Sequence, residues 1–331
     1  MPISLLTGGA GFIGAHVCRE LLKLGHKVVV VDDLSGGFRD NVPEDAEFIQ
    51  GSVTDHNFIR DVFTRYSFDY VYHFAAYAAE GLSHFIKRFN YTNNLIGSVN
   101  LINESVKHKV ICFVFTSSIA VYGKGQLPMR EDMTPVPEDP YGIAKMAVEQ
   151  ELKVTYEMFG LPYIIFRPHN VYGEYQNIGD RYRNVIGIFM NRLMQNKPLT
   201  VFGDGTQTRA FSYIGDIAPA IAGSVNIRRA YNEIFNIGAD KEYTVNELAG
   251  AVMDILGVRT EINYLAERNE VKHAYADHSR AKQIFGLDAA TPLATGIRRM
   301  SEWARTAGAR KTERFKDIEI TDNIPSIWLE V

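Results

Sequence analysis

Cysteine is scarce in this chain: two among 331 residues, Cys18 and Cys112. They fall far apart, on a predicted helix and a predicted strand. They read as small buried apolar residues, and no disulfide framework is expected. Basic runs are missing too. The 35 Lys and Arg stand against 39 Asp and Glu, a net charge of −4, which argues against a nucleic-acid partner. No stretch approaches the length of a membrane span. The first predicted strand begins at Ile3, which leaves no room for a signal peptide, so a soluble cytoplasmic protein is expected. Repeats and low-complexity segments are absent. His273, Asp277 and His278 are too irregularly placed to suggest a metal site.

What is present is organised around residues 3–33. Ile3 to Thr7 reads as a buried strand. Gly8-Gly9-Ala10-Gly11-Phe12-Ile13-Gly14 follows at once. A helix-spaced stretch comes next, with Phe12, Ile13, Val17, Leu21 and Leu22 apolar. Lys27 to Val31 is a second strand, closed by Asp32-Asp33. Strand, glycine loop, helix, strand and acid in this order predict a dinucleotide site. Glycines let the backbone approach a pyrophosphate, and the helix start offers free N–H groups. An acid ending the second strand can take the adenosine ribose hydroxyls. Asp32 would repel a 2′-phosphate, so NAD is expected over NADP. Arg39 reads as a solvated loop residue.

Strands and helices keep alternating. Strands are predicted at Glu47–Gln50, Tyr70–Phe74, Val110–Phe115 and Leu161–Arg167, with helices at Asp55–Phe63 and Asn93–Val106 between them. Such alternation predicts an α/β fold with a doubly wound parallel sheet, its ligand at the carboxyl ends of the strands. Pro128, Pro135, Pro137 and Pro140 exclude a regular helix before residue 140. Asp139 and Pro140 then suit a helix start, and Gly160 its end. Later helices are expected at 180–196, 216–228, 244–256, 279–285 and 292–307. The expected division is a dinucleotide-binding domain over 1–173, with segments near 211–240 returning to it, and a smaller α/β substrate-binding domain over 174–331. Ile324, Ile327, Trp328 and Leu329 suggest that the tail packs back onto the body.

Ser118 closes the strand that enters Thr116-Ser117-Ser118, and Tyr141 and Lys145 share a helix face at a spacing of four. A phenol ionises near ~10, too high for a base at neutral pH. A neighbouring ammonium and a cationic nicotinamide would lower it. Tyr141 could then take a proton from a substrate hydroxyl held by Ser118, while hydride leaves the same carbon.

With these motifs in place, the chain resembles the extended short-chain dehydrogenase/reductases of the NAD-dependent epimerase/dehydratase family, most closely the UDP-glucose 4-epimerase group. The resemblance rests on Gly8-x-x-Gly11-x-x-Gly14, Asp32, Phe74-Ala75-Ala76, Thr116-Ser117-Ser118, Tyr141-x-x-x-Lys145, Arg167-x-x-Asn170 and Gly203-Asp204-Gly205. It implies a Rossmann domain holding NAD through Gly8, Gly11, Phe12, Ile13, Asp32, Asp33, Ser35 and Gly36. Ser52, Val53, Phe74, Ala75, Ala76 and Asn93 would join them, with Thr116, Ser117, Tyr141, Lys145 and Pro168 nearer the reacting end. A UDP-sugar would be held by Ser118, Asn170, Asn184 and Val185, with Thr200, Val201 and Phe202 lining the base pocket. Arg209 and Arg268 would hold phosphates, and Glu270 would lie beside them. A homodimer through the helices near 93–108 and 141–159 is also implied. A residue gating room for a 2-acetamido group falls near Ala274, or with a shifted gap at His273 or Tyr275. The chain departs from the family at Tyr77-Ala78-Ala79, where a cofactor-touching lysine is common, and at Pro168-His169. The implied reaction is inversion at sugar C4 through a 4-keto intermediate. Dehydration or decarboxylation begun by the same oxidation is the alternative, while a non-catalytic NAD sensor should have lost Tyr141 or Lys145, and both are present.

Overall fold

The computed structural model describes residues 1–125, 127–267, 271–287 and 290–329. In chain order the first half runs β1 (Ile3–Thr7), α1 (Phe12–Lys23), β2 (Lys27–Asp32), β3 (Glu47–Gln50), α2 (His56–Arg65) and β4 (Tyr70–His73). Then come α3 (Glu80–Ser83), α4 (Lys87–Tyr91), α5 (Gly97–Lys107), β5 (Cys112–Thr116), α6 (Pro140–Phe159) and β6 (Tyr163–Pro168). The second half contributes β7 (Val171–Tyr172), α7 (Val185–Met194), β8 (Leu199–Phe202), β9 (Thr208–Ala210), β10 (Ser212–Tyr213), α8 (Ile214–Gly223) and β11 (Glu233–Ile237). Last are β12 (Glu242–Thr244), α9 (Val245–Leu256), β13 (Ile262–Leu265), β14 (His273–Ala274), α10 (Ser279–Phe285) and α11 (Leu293–Ala307).

Seven strands form one parallel sheet in the order β11-β6-β5-β4-β1-β2-β3. Chain order reverses between β1 and β4, the switch point where such sheets bind ligands. Both faces are covered, and the strands show it residue by residue. Leu6, Val28, Val30, Val114 and Phe166 join one buried cluster with Val17 and Leu21 of α1 and Ile217 and Ile221 of α8. Their neighbours Leu5, Val29, Val31, Phe113 and Ile165 join the other, with Ile59 of α2, Leu101 of α5 and Val148 of α6. This is why the strands read as continuous apolar runs. The first cluster continues into Phe189 of α7, Leu248 and Val252 of α9 and Met300 of α11. Smaller sheets pair β7 with β10, β8 with β13, and β9 with β12 and β14.

Caps explain several boundaries. Asp139 accepts from Gly142 N at 2.9 Å, Pro140 opens α6, and Gly160 closes it in the left-handed conformation. Thr244 and Glu247 form a reciprocal capping box on α9.

Three helix boundaries differ from the sequence reading by more than a residue or two. The helix expected at 180–196 begins at Val185, because Asn184 takes φ +65° and Asp180 is used in local turns to Tyr182 N and Arg183. The helix expected from Asn93 starts earlier, at Lys87, and passes through a π-helical turn at Thr92–Ile96 before α5. The helix expected at 216–228 is α8, ending at Gly223 and followed by short 3₁₀ turns. Among the described residues no helix is long and apolar enough to cross a membrane. Cys18 and Cys112 are buried free thiols.

Candidate active site

A cavity of about 760 Å³ opens at the carboxyl ends of β1, β4, β5 and β6. The glycine loop forms one wall. A Cβ on Gly14 would come 2.2 Å from the Gly8 carbonyl, and one on Gly8 would come 2.5 Å from Ala75 N. Those two glycines are required by the chain's own packing. A Cβ on Gly11 would meet only Gly8 O, at 3.1 Å. Gly11 lines the cavity at the start of α1, where no side chain caps the helix. Its bareness suits a phosphate brought close to the helix N-terminus.

Asp32 stands at the end of β2. Its carboxylate accepts from Ala10 N at 3.0 Å and Leu34 N at 2.8 Å. Burial raises its pKa, and these backbone bonds pull the other way. Asp33 accepts from Ser35 N at 2.9 Å. Arg39 is turned aside, its guanidinium 4.7 Å from the Phe48 ring centre, and it does not line the cavity. Phe12, Ile13, Gly36, Val53, Phe74, Ala75, Ala76, Asn93 and Pro168 all line it. Ser52 does not; its hydroxyl is bonded to Thr54. Thr116 Oγ1 is buried against the cavity without a hydrogen-bond partner. A buried hydroxyl in this state calls for a polar ligand. The residues present therefore fit a dinucleotide.

Ser118, Tyr141 and Lys145 meet on the same cavity. Ser118 caps a 3₁₀ turn, accepting from Ala120 N at 3.1 Å. Lys145 Nζ donates to the Thr116 carbonyl at 2.7 Å and lies 5.8 Å from the Tyr141 ring centre. Burial lowers the Lys145 pKa to about 7, with Glu149 opposing. Burial raises Tyr141, the Glu80 charge adds to that, and the Ser118 side chain acts against it. Burial thus dominates, and Tyr141 stands above the ordinary phenol range, not below it as the sequence suggested.

Beneath these residues lies a fully buried network in which Glu149, Tyr122 and Asn236 had no role in the sequence reading, and in which the hydroxyl of Ser117, expected at the cofactor, is turned to Glu149. Glu149, one turn past Lys145, takes Ser117 Oγ at 2.5 Å and both Nε and Nη2 of Arg167, at 2.9 and 2.5 Å. Arg167 Nη1 donates to Tyr122 OH at 2.7 Å, and Tyr122 OH donates to Asn236 at 2.9 Å. The signal was available: 141, 145 and 149 continue one helix stripe.

The substrate-side residues Asn170, Asn184, Val185, Thr200, Val201, Phe202 and Arg209 line the same cavity. Arg209 Nη1 is held by the Thr208 and Lys272 carbonyls. Arg268 and Glu270 lie outside the described residues. Ala274 lines the cavity; His273 and Tyr275 do not. His169 belongs to one of the two places where the chain departs from the family pattern. Its Nδ1 donates to Ala210 O at 2.9 Å, so its Nε2 accepts from His278 Nε2 at 2.8 Å. His278 Nδ1 lies 2.7 Å from an Asp240 carboxylate oxygen. Burial pushes both imidazoles toward the neutral form. With both its nitrogens engaged, His169 positions the loop.

Arg183 was also missed. It lies 4.6 Å over the ring of Tyr77, which stands near the usual lysine position, and pairs with Asp180 at 2.7 Å. It sat inside a stretch whose spacing suggested helix. Among the described residues no group of three or more His, Cys, Asp or Glu could hold a metal ion.

A family model, "NAD dependent epimerase/dehydratase family", matches residues 4–238. The chain is 34% identical to a UDP-glucose 4-epimerase of Thermotoga maritima solved with UDP-glucose, covering 93% of this chain and 99% of that one at a TM-score of 0.87. It is 30% identical to a UDP-N-acetylglucosamine 4-epimerase of Methanobrevibacter ruminantium solved with UDP-N-acetylmuramic acid, covering 93% and 99% at 0.85. A UDP-glucuronic acid 4-epimerase of Bacillus cereus, solved with UDP-glucuronic acid and NAD, is 28% identical over 93% and 100% at 0.84.

Proposed function

The chain belongs to the NAD dependent epimerase/dehydratase family, and within it we propose a nucleotide-sugar 4-epimerase acting on a UDP-hexose with tightly held NAD. The carrying observation is the meeting of Ser118, Tyr141 and Lys145 on the cavity that the glycine loop and Asp32 also line. NAD held by the glycine loop and Asp32 would supply a hydride acceptor and donor for C4. Tyr141 takes and gives back the proton of the C4 hydroxyl, Ser118 holds that oxygen, and Lys145 anchors the end of β5 through Thr116. Asn170, Asn184 and Arg209 are proposed to hold the nucleotide diphosphate. The sugar can then turn over while its binding energy stays away from the reacting carbon.

Ala274, small and on the cavity wall, supports a site with room for N-acetyl sugars, and the known relatives include glucose, glucuronate and N-acetylglucosamine enzymes. The test is product analysis by NMR with a panel of UDP-sugars. C4 epimers, with NAD co-purifying and unconsumed, support the reading. NADH accumulating in proportion to substrate used would sink it. A homodimer through α5 and α6 is part of the same proposal. Ile143, Val154 and Met158 leave α6 exposed by 39, 52 and 74%, and light scattering on the eluted protein decides it.

A further inference from the structure

We propose that the segment after α11, residues 309–329, completes the nucleotide site, with Trp328 as an aromatic wall for the base. This rests on the nucleotide-sugar reading above.

The segment lies beyond the residues that match the family model. It has no regular structure until a 3₁₀ turn at Ser326–Trp328. Polar, irregular tails usually stay loose unless tied down. This one is fastened along its length. Asn191 of α7 exchanges two hydrogen bonds with the Arg310 backbone, at 2.8 and 2.9 Å. Phe315 N donates to Tyr182 OH at 2.8 Å. Glu319 accepts from the N–H groups of Arg88 and Phe89 at the start of α4, both at 2.9 Å. The strap therefore runs from α7, the helix that follows Asn184, to the start of α4 and ends in the turn at Ser326–Trp328.

Its end places Trp328 in the cavity wall at 3% exposure. The indole meets Tyr182, Phe85 and Phe202 with ring centres 5.4, 6.1 and 6.3 Å away, each edge-on at 75, 85 and 70°. Tyr182 and Phe202 line the cavity with it. Phe202 ends β8, which carries Thr200 and Val201, the residues proposed to border the base. An aromatic corner of this kind suits a flat nucleobase, whose face stacks on rings at little conformational cost. Arg181 and Tyr182, on the loop before Asn184, fix the turn by donating to the carbonyls of Ile327 and Trp328, at 3.3 and 3.4 Å.

The test uses UDP, which lacks the sugar, on the full chain with its cofactor. Trp303 and Trp328 are the two tryptophans of the sequence, so Trp303→Phe leaves Trp328 as the sole indole reporter. Saturable quenching of its emission by UDP is expected, with Trp328→Ala weakening UDP about tenfold or more and Trp328→Phe weakening it less. Bound NAD should be unchanged in both variants. UDP affinity unaltered by Trp328→Ala would overturn the proposal. If that variant does not fold, an absence of UDP quenching in Trp303→Phe overturns it instead. UDP binding through Trp328 without epimerisation would sink the proposed reaction and leave this site standing. Epimerisation with a Trp328 indifferent to UDP would do the reverse.

Discussion

Tyr141 sits where its own ionisation is opposed. Burial and the Glu80 charge both raise its pKa, while Lys145, drawn down to about 7 by burial, is itself partly discharged near neutrality. The chain holds the phenol as a proton donor until a positive charge joins it in the site. Tyr141→Phe keeps the ring's packing and removes that proton. Turnover should fall about 10²–10⁴-fold, with bound NAD and the thermal midpoint little changed; full turnover would show that another group is the base. His73 makes a separate prediction about stability. It is fully buried between Thr7 and Ser98, with ring nitrogens 2.7 and 2.8 Å from their hydroxyls. Burial first, then the Lys145 charge, hold its pKa down at about 3. The fold thus favours the neutral ring. That contribution is complete above the unfolded value near ~6.5 and is lost as pH falls toward 3, by up to ~1.4 kcal/mol per pH unit. His73→Gln should flatten the fall of the thermal midpoint between pH 6.5 and 4. Parallel curves for the two proteins would count against His73 as the titrating group.

At the scale of elements, the glycine loop separates two kinds of requirement. Gly14→Ala drives a Cβ into the Gly8 carbonyl at 2.2 Å, backbone that cannot swing aside, so the thermal midpoint should drop, at the ~1–3 kcal/mol typical of overpacking or more. Gly11 has an ordinary φ of −77° and only a 3.1 Å contact to relieve. Gly11→Ala should therefore fold well and lose NAD, read from the ratio of absorbance at 260 to 280 nm. Full NAD occupancy in that variant would show that the phosphate does not pass there. The loop was legible in sequence because glycine spacing and strand periodicity are local signals. The sheet was legible for the same reason, its strands being apolar on both faces. Asn184 was not: it is a left-handed N-cap between the polar stretch Asp180-Arg181-Tyr182-Arg183 and the apolar helix, and a polar stretch of that kind continues a helix as readily as it ends one, so the expected helix began too early. Strands β9, β12 and β14 are two or three residues long and owe their pairing to partners distant in sequence, so no local pattern announces them. Glu149 was readable from its spacing to Lys145, whereas the stacking of Arg183 on Tyr77 joins segments 106 positions apart and needed the fold.

The whole molecule decides whether oxidation at C4 is followed by return of the hydride or by loss of water. Elimination needs an acid and a base near C5 and C6, beyond the pair that works at C4. Directly after Ser118 the chain offers Ile119 and Ala120, neither ionisable, and both on the cavity wall. Besides Asp32 and Asp33, the carboxylates that line the cavity come from other segments. Asp139 is committed to the N-terminus of α6, Asp180 to Arg183 and Tyr182, and Glu138 pairs with Lys124 at 3.1 Å. Glu80, from the short helix α3, is the carboxylate whose charge Tyr141 feels most. If the enzyme only moves hydride out and back, Glu80 acts on the phenol through its field alone. Removing that negative charge eases ionisation of Tyr141, so Glu80→Gln should shift the rise of kcat with pH to lower pH and leave turnover at the plateau close to the unsubstituted level. UDP-sugars, and TDP-glucose as a dehydratase probe, should give C4 epimers of unchanged mass by mass spectrometry, with or without that substitution. Loss of water or of CO₂ as the main outcome, together with its abolition in Glu80→Gln, would make Glu80 a proton-transferring group and move the chain to the eliminating or decarboxylating branch of its family.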